Sequence, residues 1–323
     1  MSLRARGPGG EPVDLRRTIR SHGLTTLPPM AVLDGGERLQ ATRPILGKPV
    51  TLDITAAGAS IEVRWNTAGR AAAEEPAVRR AAVRLLRLDE DLRPFYQTIS
   101  DDPDLAWAAS GAGRLVRSTT VFEEVVKTLC TTNCSWSATS RMLETLVSAL
   151  GEPALGAPAS GPPGRTFPTP TAMAAADDSF YVREMRAGYR SRYLRALAEA
   201  VASGSLILEE LDAPAEELPD ADLEASLLAL SGVGPYAAAH ILLQLGRYSH
   251  LVLDSWTRPA YARLIGRRSV ADSTITRRFR RFGAYAGLAF WVFVTQGWVA
   301  PRRQTRATAS SEHDQLRAES APG

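Results

Sequence analysis

Lysine is nearly missing from this chain: Lys48 and Lys127 are the only two, although the sequence carries 38 basic residues. The others are arginines, and no lysine follows position 127, so a lysine amine is excluded as a nucleophile anywhere in the C-terminal half. Cysteine is almost as scarce. Cys130 and Cys134 lie four residues apart, a spacing that builds no disulfide framework, and two thiols cannot hold a four-cysteine iron–sulfur cluster. Reduced thiols in a cytoplasmic protein are expected. The opening MSLRARGPGGEP has no apolar core and is not a secretory signal. No apolar run reaches the ~18 residues of a membrane span. His22, His240, His250 and His313 are too scattered to suggest a metal site.

What is present is the composition of a globular protein able to bury a large core, with 45% hydrophobic and 23% charged residues over 323 positions. The net charge of +3 permits nucleic-acid binding without requiring it. An arginine excess fits a GC-rich genome equally well.

Residues 1–14 are expected to be disordered. From Leu15 to Trp65 the pattern is strand-like: ERLQATRPI, KPVTLDI and ASIEVRW alternate partially and are separated by turn residues. These predict a small antiparallel β domain over residues 15–75. From Pro76 the period changes, with Val78, Ala82, Leu85 and Leu86 on one helical face. Residues 76–300 are expected to form a helical domain. Within it, Thr120 and Glu123 start a helix in the manner of a capping box, and Thr131, Thr132 and Asn133 end it. Residues 152–166, rich in Pro, Gly and Ala, predict a flexible loop, and residues 301–323 a disordered polar tail. The expected class is α+β, mainly α.

The most informative stretch is LSGVGPYAAAHILLQLGRYSHLVLD, residues 230–254. Gly232, Val233 and Gly234 allow a sharp turn that leaves backbone N–H groups pointing outward. Pro235 suits the first position of a new helix. Outward amides beside a helix N-terminus form an anion site, and on DNA that anion is a backbone phosphate. A GxG pair alone is weak evidence; the order helix, hairpin, helix, apolar run, carboxylate is not.

Together with VFEEVVKTLCTTN, FPTPTAMAA, GYRSRYL and LVLDSWTRPAY, that stretch resembles the helix-hairpin-helix DNA glycosylases of base excision repair. It looks closest to the 3-methyladenine glycosylase II and 8-oxoguanine glycosylase branch, whose members begin with a small antiparallel β domain. The resemblance implies a monomer that binds double-stranded DNA, flips out a damaged base and hydrolyses its N-glycosidic bond. Asp254 matches the catalytic aspartate, which would stabilise the oxocarbenium-like sugar and orient the water. Asp254 also fits as a helix N-cap, and both roles can hold at once. The position of the nucleophilic lysine of bifunctional relatives is Tyr236 here, which predicts a glycosylase without lysine-based lyase activity. Asn133 matches the residue that fills the void left by the base; Tyr189 and Arg190 match those that wedge the stack and contact the orphan partner base.

Two departures bear on the substrate. A glutamine that reads the base edge in 8-oxoguanine enzymes is Phe290 here, and an arginine five residues after the void-filling asparagine is Ala138. The candidate aromatic residues Trp136, Trp256, Phe290 and Trp291, with Tyr236 as a further pocket residue, suit cation–π capture of an alkylated purine. An 8-oxoguanine or mismatch glycosylase, and a non-catalytic lesion-sensing protein, are the competing readings. No cofactor is expected; a K⁺ or Na⁺ at the hairpin carbonyls would assist DNA binding rather than chemistry.

Overall fold

The alternating N-terminal segments pair into a five-stranded antiparallel sheet in the computed structural model, which describes residues 1–66 and 73–298. Its strands are β1 (Ser2–Arg4), β2 (Met30–Leu33), β3 (Arg38–Ile45), β4 (Lys48–Ala57) and β5 (Ser60–Trp65), in the order β1-β5-β4-β3-β2. Leu39 opposes Ile54, and Ile54 opposes Val63, so the period of two places these side chains on one buried face.

Two expectations for this region need correction. Residues 1–14 are ordered: β1 pairs with β5, and the Glu11 carboxylate meets the buried Arg114 guanidinium at 2.5 Å. A short edge strand and one buried ion pair leave no hydrophobic period to read. Residues from Leu15 are not all strand-like either. Leu15–Ile19 is a short helix, α1, capped by the Asp14 carboxylate, and it buries Leu15, Thr18 and Ile19.

The helices α2 (Glu74–Leu85), α3 (Arg93–Ile99), α4 (Val121–Thr131), α5 (Trp136–Leu150), α6 (Pro170–Ala175) and α7 (Ser191–Ala202) follow. α8 (Asp220–Leu228) and α9 (Pro235–Gln244) flank the hairpin, and α10 (Thr257–Leu264), α11 (Asp272–Phe279) and α12 (Ala286–Thr295) complete the described chain. Although α2 is helical as expected, its buried face (Val78, Ala82, Leu85) joins the core of the sheet with Leu39, Ile54 and Val63. Packing thus places α2 with the β domain. The segment 152–166 is not a free connection: Pro153 and Arg165 form an isolated bridge, and Arg165 donates to the Gly151 and Gly161 carbonyls. The tail expected at 301–323 lies outside the described residues.

The N-terminus of α4 is held as its sequence predicts, with the Thr120 hydroxyl accepting the Glu123 N–H at 3.1 Å. The Glu123 carboxylate reaches the Thr119 N–H rather than that of Thr120, and Glu209 accepts from Val121 and Phe122. The helical domain has two cores, and α9 stands between them. Ala237, Ala238, Ile241 and Leu242 pack into one with α4, α5, α7 and α8; Ala239 and Leu243 pack into the other with α3, α10, α11 and α12. A helix apolar on every side is buried on every side.

Candidate active site

The turn between α8 and α9 needs Gly232. Its φ is +88°, and a Cβ there would lie 2.7 Å from the Tyr193 ring. Val233 N–H closes the turn on the Leu230 carbonyl at 3.0 Å, and Val233 is buried as its anchor. Gly232 is exposed, and the amides of Gly232 and Gly234 meet no acceptor among the described residues. Pro235 opens α9 without needing one.

At its far end α9 stops through Gly246, at φ +85°. The chain then passes alongside α12 before reaching Asp254. The approach is close: Gly287 donates to the Tyr248 carbonyl at 2.6 Å, and a Cβ on Gly287 would lie 2.0 Å from the His250 carbonyl oxygen. Asp254 itself sits before α10. Its Oδ1 accepts the Trp256 and Thr257 N–H groups at 2.8 and 2.5 Å. Among the described residues no donor meets Oδ2, and the residue is only partly buried. The same carboxylate therefore caps the helix through one oxygen and offers the other.

A chain of rings runs beside this carboxylate. Tyr236 lies 6.0 Å from the His240 ring, His240 lies 6.2 Å from Trp291, and Trp291 meets both Trp256 (6.2 Å) and Trp298 (6.1 Å). Tyr236 is tied to α4 by its hydroxyl, 3.3 Å from Thr131 Oγ1. Burial pushes the Tyr236 phenol up, and the Asp254 charge adds to that shift. Burial lowers His240 to about 4, against a raising influence from Asp254, so its imidazole is neutral at physiological pH. The N-terminal domain supports this cluster: the Trp291 indole donates to the Ser21 carbonyl at 2.7 Å, and Arg20 donates to the Trp298 carbonyl.

The structure sorts the expected pocket residues. Tyr236 and Trp256 join the cluster. Phe290 does not: it is fully buried between Tyr261 and Phe279, and its neighbour Trp291 takes the place beside Trp256. Adjacent helical positions differ by about 100° in direction, so only one of the two can face Asp254. Trp136 is 43% exposed at the start of α5 and packs over Gly23, outside the chain of rings. His240 and Trp298 were not singled out from sequence. His240 had a signal, since it lies one helical turn after Tyr236; Trp298 had none.

On a second side of the hairpin, Asn133 and Tyr189 come together. Asn133 follows the end of α4 at φ +45°, and its Nδ2 donates to the Tyr189 hydroxyl at 3.3 Å. Both are exposed. Arg190, expected to face a partner base, is instead only 6% exposed, with its guanidinium turned inward onto the Leu129 carbonyl. The Leu129 carbonyl in the last turn of α4 also accepts from the Thr132 N–H and hydroxyl, and the buried cation adds a further donor to it.

A family model described as HhH-GPD superfamily base excision DNA repair protein matches residues 126–288, a span running from α4 through the hairpin and Asp254 into α12. Among solved structures, the fold is similar to a 3-methyladenine DNA glycosylase from Archaeoglobus fulgidus (TM-score 0.68, 22% identity, covering 91% of this chain and 97% of that one). It is also similar to the Clostridium acetobutylicum 8-oxoguanine glycosylase/lyase in complex with DNA (0.67, 19%, covering 89% and 93%). A third similar structure is MBOgg1 in complex with a low-affinity DNA ligand (0.70, 20%, covering 91% and 93%). No curated protein matches the chain by sequence.

Proposed function

Because the chain belongs to the HhH-GPD superfamily of base excision DNA repair proteins, we propose that it is a monofunctional DNA glycosylase using Asp254. The hairpin amides of Gly232 and Gly234 hold a backbone phosphate of duplex DNA. Asn133 and Tyr189 enter the stack, and the damaged base turns out toward the rings beside Asp254. As the glycosidic bond breaks, positive charge develops at C1′, and Oδ2 of Asp254 stabilises it and orients the attacking water.

The observation that carries this reading is the division of labour within one carboxylate. Oδ1 is fixed by two backbone N–H groups, so Oδ2 is aimed without being consumed. A merely capping aspartate would need no aromatic cluster beside it.

The absence of an amine supports hydrolysis without a lysine-derived Schiff base. Tyr236 stands at the pocket position on α9, no lysine follows it, and Lys127 is fully buried in an ion pair with Glu123 at 2.6 Å. For the substrate we propose a cationic alkylated purine. Trp256, Trp298 and Tyr236 are partly exposed aromatic rings of this cluster, and a neutral His240 adds no opposing charge. Water is the only co-reactant the proposed hydrolysis requires.

An excision panel tests the proposal: duplexes carrying N3- or N7-alkylated purines, 8-oxoguanine, hypoxanthine, uracil and mismatches, with Asp254→Asn as control. Release of alkylated purines by the parent and not by the variant is expected, with no borohydride-trapped adduct. Equal activity in Asp254→Asn would remove the mechanism, and DNA binding without any excision would favour a lesion-sensing protein.

A further inference from the structure

Arg190 makes its hydrogen bonds inside the protein through Nε and Nη1, while its buried Nη2 meets no acceptor among the described residues. Its Nε donates to the Leu129 carbonyl at 3.1 Å and to Thr132 Oγ1 at 3.2 Å, and its Nη1 reaches the Ala187 carbonyl at 3.4 Å. Its guanidinium carbon lies 4.5 Å over the Tyr189 ring. One side chain thus spans the end of α4 and the Gly188–Arg190 turn, which are distant in sequence.

The residues it joins are those that meet DNA in the proposed function. Thr132 Oγ1 lies 3.3 Å from the Tyr189 hydroxyl, and Asn133 Nδ2 lies 3.3 Å from the same oxygen. Tyr189 packs edge-on against Tyr193 at 6.2 Å, and Tyr193 together with Leu129 abuts the hairpin at Gly232. Asn133, Tyr189 and the phosphate-binding turn therefore form one continuous unit, with Arg190 buried behind it. Asn133 holds a left-handed backbone at φ +45°, a conformation asparagine takes readily at the residue after a helix C-cap. The guanidinium holds the Leu129 carbonyl and the Thr132 side chain immediately before Asn133, and a lysine ammonium would not reproduce that geometry.

We propose that Arg190 is a positioning residue for duplex opening: it holds the end of α4 against Tyr189 so that Asn133 and Tyr189 enter the base stack as one preassembled wedge. The proposal rests on the glycosylase reading for its biological meaning, but base unstacking can be read without chemistry.

The test uses the full chain and a duplex with one N7-methylguanine beside a 2-aminopurine, whose fluorescence rises on unstacking. A second form places the same lesion in a short unpaired bubble. The parent brightens the paired probe. Arg190→Lys and Arg190→Ala lose most of that rise at saturating protein, and their excision from the paired duplex falls about tenfold to a hundredfold, the scale set by a misplacement of about 1 Å. On the bubble they stay within about threefold of the parent, because no stack has to be opened. Tyr189→Phe and Thr132→Val, which keep the fold's apolar contacts while cutting the tie, shift the paired-to-bubble ratio the same way and decide the matter if Arg190→Ala does not fold. An unchanged fluorescence rise in the Arg190 variants, equal losses on both substrates, or no rise with the parent would overturn the proposal. A parent that unstacks the probe yet excises nothing would overturn the glycosylase reading alone.

Discussion

Asp254 and Thr257 hold each other in both directions. The Asp254 N–H donates to Thr257 Oγ1 at 2.9 Å, and the Thr257 N–H returns to Asp254 Oδ1 at 2.5 Å, while the Thr257 hydroxyl donates onward to the Val252 carbonyl at 2.8 Å. This reciprocal cap aims Oδ2 by fixing Oδ1.

Substitutions of the pair therefore separate stability from chemistry. Asp254→Asn keeps a good N-cap and is expected to change stability by less than about 0.5 kcal/mol, while excision falls at least about a hundredfold. Thr257→Val strips a fully buried hydroxyl and leaves two backbone groups unmatched, costing about 1–3 kcal/mol. Its turnover falls as well, since the Asp254 N–H and the Val252 carbonyl lose the hydroxyl that ties together the backbone carrying the carboxylate, although both N–H bonds to Oδ1 remain. Denaturant melts and single-turnover excision on the same preparations measure both effects.

A lysine introduced at position 236 is expected to change the type of reaction. Tyr236 is half-buried against both cores and close enough to Asp254 to feel its charge. Tyr236→Lys should yield a borohydride-trapped protein–DNA adduct where the parent yields none. Failure to trap, with lesion DNA still bound, would show that this side chain does not reach C1′.

Acid should destabilise the protein through two buried imidazoles. Burial lowers His22 to about 3 and His240 to about 4, from an ordinary 6.5. Below pH 6.5 the unfolded chain takes up protons that the native state refuses, so stability is fully present above 6.5 and drains as pH falls toward 4. The slope is about 1.4 kcal/mol per pH unit for each imidazole. Urea melts between pH 7 and 4.5 should show it, and His240→Gln should remove about half.

Gly232→Ala is expected to cost about 1–3 kcal/mol and to weaken binding to undamaged duplex DNA. The added Cβ meets Tyr193 at 2.7 Å in a backbone at φ +88°. Tyr193→Ala in the same chain should restore part of the stability, since it removes the clash and leaves the backbone strain.

Much of this architecture was legible from residue order. The three central strands follow from their period of two, α4 from its capping residues and apolar face, and the hairpin from two glycines, a proline and flanking helices. The edge strand β1 was not legible, because three residues carry no period. Arg190 read as a surface group because it follows Tyr189 in a polar turn; its burial depends on the end of α4, contributed from elsewhere in the chain.

The sequence by itself determined the chemistry on offer: an aspartate at the end of the apolar run after the hairpin, a tyrosine where a lysine would act, and no later lysine. Only the tertiary structure decided which side chains share that site. α12 is apolar along nearly its whole length, so no stripe distinguishes Phe290 from Trp291. The choice was made by Gly287, whose missing side chain lets α12 lie against the run before Asp254 and fixes its rotation. Periodicity encodes the faces of an element, but packing assigns each face its neighbour.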